Sequence, residues 1–313
     1  MSLSVTKLRD PRVSVVIPCY RDAATLGRAL MSLQAQTRLP EEIIVVDDFS
    51  PEEARIRAVV GGIPRVIYLR NTSNLGLAGT RNRGLQEASG EIVAFLDADD
   101  EAHPQRIEWQ LKLVAPDTAV ACDVVRIPEG GSAALQQFSW PPRIKTYREV
   151  GTMIYANRLT GASLMAPAAM LRAVGGYDSS LRSCEDYDLW LRLLGRGYRV
   201  QRIRHPLYIY HYNAAGLSRR YLDIAHWELV VLGKFLAGGS AAAPSGFRSG
   251  IVWAVWLLRH FARATVLSDN GLRAQAMRDL SRLDRWPVMR WMVRAVAVSG
   301  VLKLWRFAFR ARG

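Results

Sequence analysis

Between Arg12 and Leu96 the chain alternates compact apolar runs with stretches in which apolar positions recur every three or four residues. The runs Arg12–Pro18 (RVSVVIP), Glu42–Asp48 (EIIVVDD), Arg65–Arg70 (RVIYLR) and Ile92–Leu96 (IVAFL) are short and rich in β-formers, which predicts buried strands. Between them Leu26, Ala29, Leu30 and Leu33 share one helical face, a charged helix is predicted from about Pro51 to Val60, and another from about Leu77 to Ala88. Strands alternating with helices predict a parallel sheet with right-handed crossovers.

Further on, a helix is predicted from His103-Pro104 with Ile107, Leu111 and Val114 inward, then a strand over Ala119–Ile127. Pro128–Pro142 is loose and rich in Gly and Pro, the composition of a loop that closes over a ligand. Thr160-Gly161-Ala162-Ser163 reads as a tight turn, and Pro167 and Gly175-Gly176 bracket a short helix. Leu189, Trp190, Leu193 and Leu194 form the apolar face of a helix opened by Glu185-Asp186-Tyr187-Asp188, and Tyr208–Asn213 alternates as a strand does. Four more helices are predicted, over Tyr221–Ala237, Gly250–Leu267, Gly271–Leu283 and Pro287–Phe309.

The fourth apolar run ends in Asp97-Ala98-Asp99-Asp100, an abrupt place for charge. Residues two apart in a strand point to the same side, so Asp97 and Asp99 converge while Asp100 faces elsewhere. One reading is a hard divalent cation, Mg²⁺ or Mn²⁺, shared with substrate phosphates; the other is an acidic turn capping the next helix. Polar residues also stand at the earlier strand ends: Cys19, Tyr20 and Asp22, then Asp47 and Asp48, then Asn71 and Asn74. Ligands of parallel α/β sheets bind at the carboxyl ends of strands, so four polar ends in succession describe a pocket. In the later cluster, the helix dipole accounts for one or two acids in a first turn but less readily for Glu185, Asp186 and Asp188 together.

The 313 residues suffice for a full core, in one large α/β domain or a domain with an appendage. Three cysteines far apart, Cys19, Cys122 and Cys184, make neither a disulfide framework nor a zinc site and fit a reducing compartment. Met1–Arg12 lacks the apolar core of a signal peptide, and no apolar run approaches the roughly 20 residues of a spanning helix, so a cytoplasmic location is expected. The formal net charge is +14, of which +11 falls from Arg219 onward, where 16 Lys/Arg face 5 Asp/Glu.

In order and spacing, VVIPCYRDAATLGRALMSLQAQT, EIIVVDDFS, NLGLAGTRNRGLQEASGEIVAFLDADD and GGYD…CEDYDLWLRL resemble the inverting family 2 glycosyltransferases of the GT-A fold, over roughly Arg12 to Ser218. The resemblance implies an α/β domain over residues 1–218, with a Rossmann-like mixed, mainly parallel sheet flanked by helices, followed by a basic α-helical C-terminal extension over 219–313. It implies metal-dependent transfer of a sugar from a nucleoside-diphosphate sugar, with uridine diphosphate the commonest donor nucleotide, in cell-envelope or polysaccharide biosynthesis. It assigns Pro18, Tyr20, Asp22 and Asp47 to the nucleoside pocket and Asn74, Gly76 and Gly79 to a loop close to the nucleotide. Arg81 then faces the diphosphate, and Asp97 with Asp99 takes the donor and a Mn²⁺ or Mg²⁺ ion. His211 is the candidate second metal ligand, with Arg219 or Arg220 near phosphate. Asp186 becomes the general base, with Glu185 orienting the base or the acceptor. Plainer roles stay open: a strand terminator for Pro18, a turn cap for Asp48, a solvated helix arginine for Arg81, a helix cap for Asp188 and a structural histidine for His211.

A sugar nucleotidyltransferase would carry a glycine-rich basic loop where this chain has Pro18-Cys19-Tyr20-Arg21-Asp22. A catalytically silent nucleotide-sugar-binding protein is the other alternative, although every acid needed for turnover is present. Processive synthases add transmembrane helices and a Gln-x-x-Arg-Trp motif; neither is found, which favours single-sugar transfer to a glycan or lipid-linked acceptor. Trp253, Trp256, Trp286, Trp291 and Trp305, interleaved with arginines, suit either amphipathic helices on an anionic membrane surface, at the inner face of the plasma membrane, or packing against the catalytic domain. No motif for nucleic acid accompanies the charge.

Overall fold

The computed structural model describes residues 10–131, 136–154, 157–212 and 221–236. Its first half is the alternation expected: β1 (Val13–Cys19), α1 (Leu26–Gln34), β2 (Glu42–Asp47), α2 (Glu53–Val60), β3 (Val66–Arg70), α3 (Gly76–Glu87) and β4 (Ile92–Phe95). The four strands lie in the order β3-β2-β1-β4, all parallel, so the chain reverses its direction of travel across the sheet beside β1. That reversal opens a crevice at the carboxyl ends of β1 and β4.

Every residue of β1, β2 and β4 is buried, because helices cover both faces of the sheet. Val13, Val15, Ile17, Ile43 and Val45 pack on one side with Leu26, Ala29, Leu30, Leu33 and Ile56. On the other side Val16, Ile44 and Val46 meet Ala78, Leu85 and Ala88 of α3. The second contact is very close: a Cβ on Gly84 would lie 2.3 Å from Val16 Cγ1. The middle of α3 thus rests directly on β1.

The second half adds β5 (Glu101–Ala102), α4 (Arg106–Leu111), β6 (Thr118–Pro128), β7 (Ile144–Tyr147), β8 (Met165–Pro167), α5 (Ala168–Ala173), α6 (Glu185–Gly195), β9 (Arg199–Tyr212) and α7 (Tyr221–Leu236). Strand β8 runs antiparallel to both β4 and β6, β6 and β9 pair in parallel over most of their length, and β5 closes the order β3-β2-β1-β4-β8-β6-β9-β5. The sheet is therefore mixed but mainly parallel, as expected. Strand β9 begins nine residues before the Tyr208–Asn213 alternation that announced it. Its first half is studded with arginines that pair to acids at the strand's side: Arg199 to Asp117 and Arg204 to Asp123.

In the stretch expected to be a flap, Phe138 exchanges two hydrogen bonds with Gln105 at the start of α4, its N–H donating to Oε1 and its carbonyl accepting from Nε2. The Phe138 ring lies 6.2 Å from Trp109 and 4.8 Å from His205, so this part is fastened to the domain. Helix α7, the first of the C-terminal helices, seats Leu232 and Phe235 in the same core as Trp190 and Leu194 of α6, and its Lys234 pairs with Asp178. The other expected helices with their tryptophans, together with Asn213, Arg219 and Arg220, lie outside the described residues. Among those described, no helix is long and apolar enough to cross a membrane.

Candidate active site

At the end of β1, Pro18 is buried beside Val46 of β2, whereas Tyr20 is 40% exposed. The Tyr20 N–H donates to Asp22 Oδ2 at 3.0 Å. At the end of β2, Asp47 is fully buried and accepts from Ser50 N–H (2.8 Å), Tyr68 Oη–H (2.7 Å) and the Arg70 guanidinium. Asp48 does more than cap a turn. Its Oδ1 accepts from Asn71 Nδ2 (2.8 Å) and Leu75 N–H (2.7 Å), its Oδ2 accepts from Gly76 N–H (2.9 Å), and its carbonyl accepts from Asn74 Nδ2 (3.2 Å). Asn74 and Gly76 are thereby fixed over the strand ends, with Gly76 at φ +73°, where a side chain would be strained.

Beyond β4 the acids divide their work. Asp97 Oδ1 accepts from Arg81 Nη2 at 2.7 Å. Asp100 is buried, its two oxygens accepting from Tyr208 Oη–H (2.6 Å) and His211 N–H (2.8 Å), which anchors the end of β9. Asp99 takes part in no ion pair among the described residues, and burial, followed by the charges of Asp97 and Asp22, pushes its carboxyl up to about 7. Burial, and then the Asp97 charge opposed by the Tyr20 amide, also raises Asp22. His211 sits behind this group with Nε2 2.6 Å from Glu101 Oε1 and Nδ1 buried without a partner among the described residues.

The second acidic group starts α6, where Cys184 adopts φ +61° and turns the chain into the helix. Asp186 Oδ1 accepts from Asn157 Nδ2 at 3.0 Å, and Oδ2 accepts from Gly161 N–H at 3.0 Å. A Cβ at Gly161 would lie 2.5 Å from Asp186 Cβ, so the tight turn is built around this carboxylate. Burial raises both Asp186 and Glu185 above the ordinary carboxylate range. Asp188 instead pairs with Arg192 along the helix.

One side chain joins the two groups. Arg81, 2% exposed, donates from Nη2 to Asp97 and from Nη1 to Glu185 Oε1 at 2.8 Å, with its Cζ 5.4 Å from the centre of the Tyr177 ring. Tyr177 is held in turn by Asn82 of α3, which accepts from Tyr177 N–H and donates to Tyr177 O, each at 2.8 Å. Acids 88 positions apart in the chain, Asp97 and Glu185, therefore share one buried cation. Arg81 is neither solvated nor free: both terminal nitrogens are committed to carboxylates.

Residues 14–167 match the family model described as glycosyl transferase family 2. The chain belongs to that family. An uncharacterized glycosyltransferase of Haemophilus influenzae is 31% identical over 204 residues, 62% of this chain and 66% of the relative, just under two thirds of its length. The succinoglycan biosynthesis protein ExoO of Rhizobium meliloti is 28% identical over 67% of this chain and 63% of its own. Among solved structures, S. aureus TarS in complex with UDP-GlcNAc superposes with a TM-score of 0.62 at 19% identity, over 86% of this chain and 79% of that one. A mannosyltransferase from Pyrobaculum calidifontis, in complex with GDP-Man and Mn²⁺, gives 0.60 at 18% identity over 96% of this chain and 84% of that one. At such identity the likeness is one of fold, and the fold is GT-A.

The glycosyltransferase assignment displaces the nucleotidyltransferase alternative. It also gives the Gly161 turn a measurable weight. A Cβ at position 161 must part the turn from Asp186; where Asp186 is the general base that the resemblance implies, misplacement by about 1 Å is enough to cost roughly 10²-fold in rate. Nucleoside diphosphate release from a donor sugar is expected to slow by about that factor, while a thermal shift with nucleotide stays at the parent value.

Proposed function

We propose that this family 2 glycosyltransferase transfers one sugar from a nucleoside-diphosphate sugar to an acceptor hydroxyl with inversion, in the assembly of a polysaccharide. The observation that carries the proposal is the Arg81 bridge, which brings the strand-end acids and the α6 acids into a single site. The fold neighbours with UDP-GlcNAc or with GDP-Man and Mn²⁺, and a relative named for succinoglycan biosynthesis, support the substrate class.

The acids at the end of β4 fit a divalent cation. Asp99 offers hard carboxylate oxygens, has no ion-pair partner among the described residues and is repelled by Asp97 and Asp22, which is the ligand chemistry that Mg²⁺ and Mn²⁺ take. Among the described residues no three His, Cys, Asp or Glu side chains form a ready cage, as suits a cation that arrives with the donor's phosphates. Asp99, with Asp97 beside it, would hold the cation, and His211 is tied to Glu101 as it stands. When bound, the ion neutralises charge on the departing diphosphate.

The rest falls to the chain's own residues. Asp186, steadied by Asn157 and Gly161, takes the proton from the acceptor hydroxyl as its oxygen attacks the anomeric carbon. The bond from that carbon to the diphosphate breaks on the opposite side, so a single displacement inverts the centre. Arg81 holds Glu185 and Asp97 in register, and exposed Tyr20 offers a flat face to the base.

A panel of nucleoside diphosphates with and without Mn²⁺, read by thermal shift, tests this proposal. One base is expected to raise the melting temperature only when metal is present, by an amount equivalent to about 2.7 kcal/mol at a hundredfold excess over Kd. No response to any nucleotide would sink it.

A further inference from the structure

Resting on that division of the site, we infer that Arg106, with Gln110 one turn later on α4, is a positioning pair that sets the donor-holding strand end against the acceptor-activating carboxylate. Arg106 is 2% exposed and forks between two segments: its Nη2 donates to Phe95 O at 2.7 Å and to Ala162 O at 3.0 Å. The first carbonyl lies two residues before Asp97. The second lies next to Gly161, whose N–H holds Asp186.

Gln110 locks the fork. Its Oε1 accepts from Arg106 Nε at 3.0 Å, while its Nε2 donates to Ser163 O at 2.8 Å and Val120 O at 3.1 Å. Below the guanidinium, 5.2 Å from Cζ, lies the Tyr208 ring, whose hydroxyl accepts from Asp97 N–H at 3.3 Å and donates to Asp100. Arg106 thus adds one buried cation to the direct bond that Phe95 N–H makes to Leu164 O (3.1 Å) between the same two segments.

The chemistry of the pair argues for geometry rather than packing. Arg106 forms no ion pair with a carboxylate among the described residues, and an unpaired charge is expensive to bury. An apolar side chain of the same length would fill the space without that cost. What the apolar chain lacks is a planar group that bonds both carbonyls through Nη2 while Nε is held by Gln110, and lysine, a point charge on one nitrogen, lacks it too.

The test uses the full chain, manganese chloride, a panel of UDP- and GDP-sugars, and release of nucleoside diphosphate as the readout. Arg106→Met is expected to lower kcat by about 10²-fold, with donor KM and the nucleotide-dependent thermal shift within about threefold of the parent. Arg106→Lys keeps the charge and is expected to recover less than about a tenth of the lost rate. Combined with Gly161→Ala, Arg106→Met should cost no more than about threefold beyond Gly161→Ala alone, since both act on the same turn. A folded Arg106→Met protein with kcat within about threefold of the parent, or effects that multiply in the double variant, would overturn the inference. Should Arg106→Met fail to fold, Arg106→Lys and Gln110→Met decide by the same kcat-against-KM criterion. A parent that responds to no nucleotide removes the function proposed above and this inference with it; a responsive parent with unaffected variants removes the inference alone.

Discussion

Asp186→Asn protein should bind nucleotide and manganese as the parent does and transfer sugar about 10²–10⁴-fold more slowly, the usual contribution of a positioned general base. Asparagine nearly matches the shape, and its amide oxygen can still accept from Gly161 N–H, so the turn survives; its amide nitrogen replaces the oxygen that accepted from Asn157, whose side-chain amide must turn over to accept from it, and proton acceptance is lost. The same substitution should erase the acid limb of the pH–rate profile. Burial raises Asp186, and a base must be ionised to work. Transfer in the parent is therefore lost as pH falls through a pKa above the ordinary value of 3.8. Glu185 is raised for the same reason and lies next in the chain, so the limb belongs to the pair. A variant with undiminished transfer would place the base elsewhere, with Glu185 the next to be replaced.

Asp99→Ala is expected to abolish the manganese dependence of nucleotide stabilisation, the full ~2.7 kcal/mol available at a hundredfold excess of ligand. Without ligand the variant should melt at or above the parent temperature. Asp99 is half-buried beside Asp97 and Asp22 and pairs with no cation among the described residues, so the resting fold bears a cost that the bound state relieves. Opposite signs in the two experiments separate a ligand role from a structural one. A variant that melts early and still responds to metal would place the cation on other groups.

How far the sequence disclosed this site depended on what each residue needed nearby. Strands β1, β2 and β4 were legible because burial on both faces writes an unbroken apolar run, and their acidic ends stood out against it. The first half of β9 was not: Arg199, Arg202 and Arg204 read as surface residues until Asp117 and Asp123 appear beside them. Asp100 was expected only to face away from Asp97 and Asp99, because its partners, Tyr208 and His211, come more than a hundred residues later. Arg81 was recognisable as a functional arginine, yet its partners were not, since no local pattern joins Asp97 to Glu185. Asn157 and Arg106 gave no signal: an asparagine in a loop and an arginine in a helix are ordinary until a carboxylate and two carbonyls are found against them.

The grip of Asp48 on Leu75 and Gly76 has one more consequence. Those amides open α3, where the partial positive charge of a helix would otherwise welcome a phosphate. Here the welcome is already taken by the chain's own carboxylate. An anionic ligand entering this crevice finds the first two amides of the helix mouth already occupied, and is better met by a cation it carries or by arginines from elsewhere in the fold.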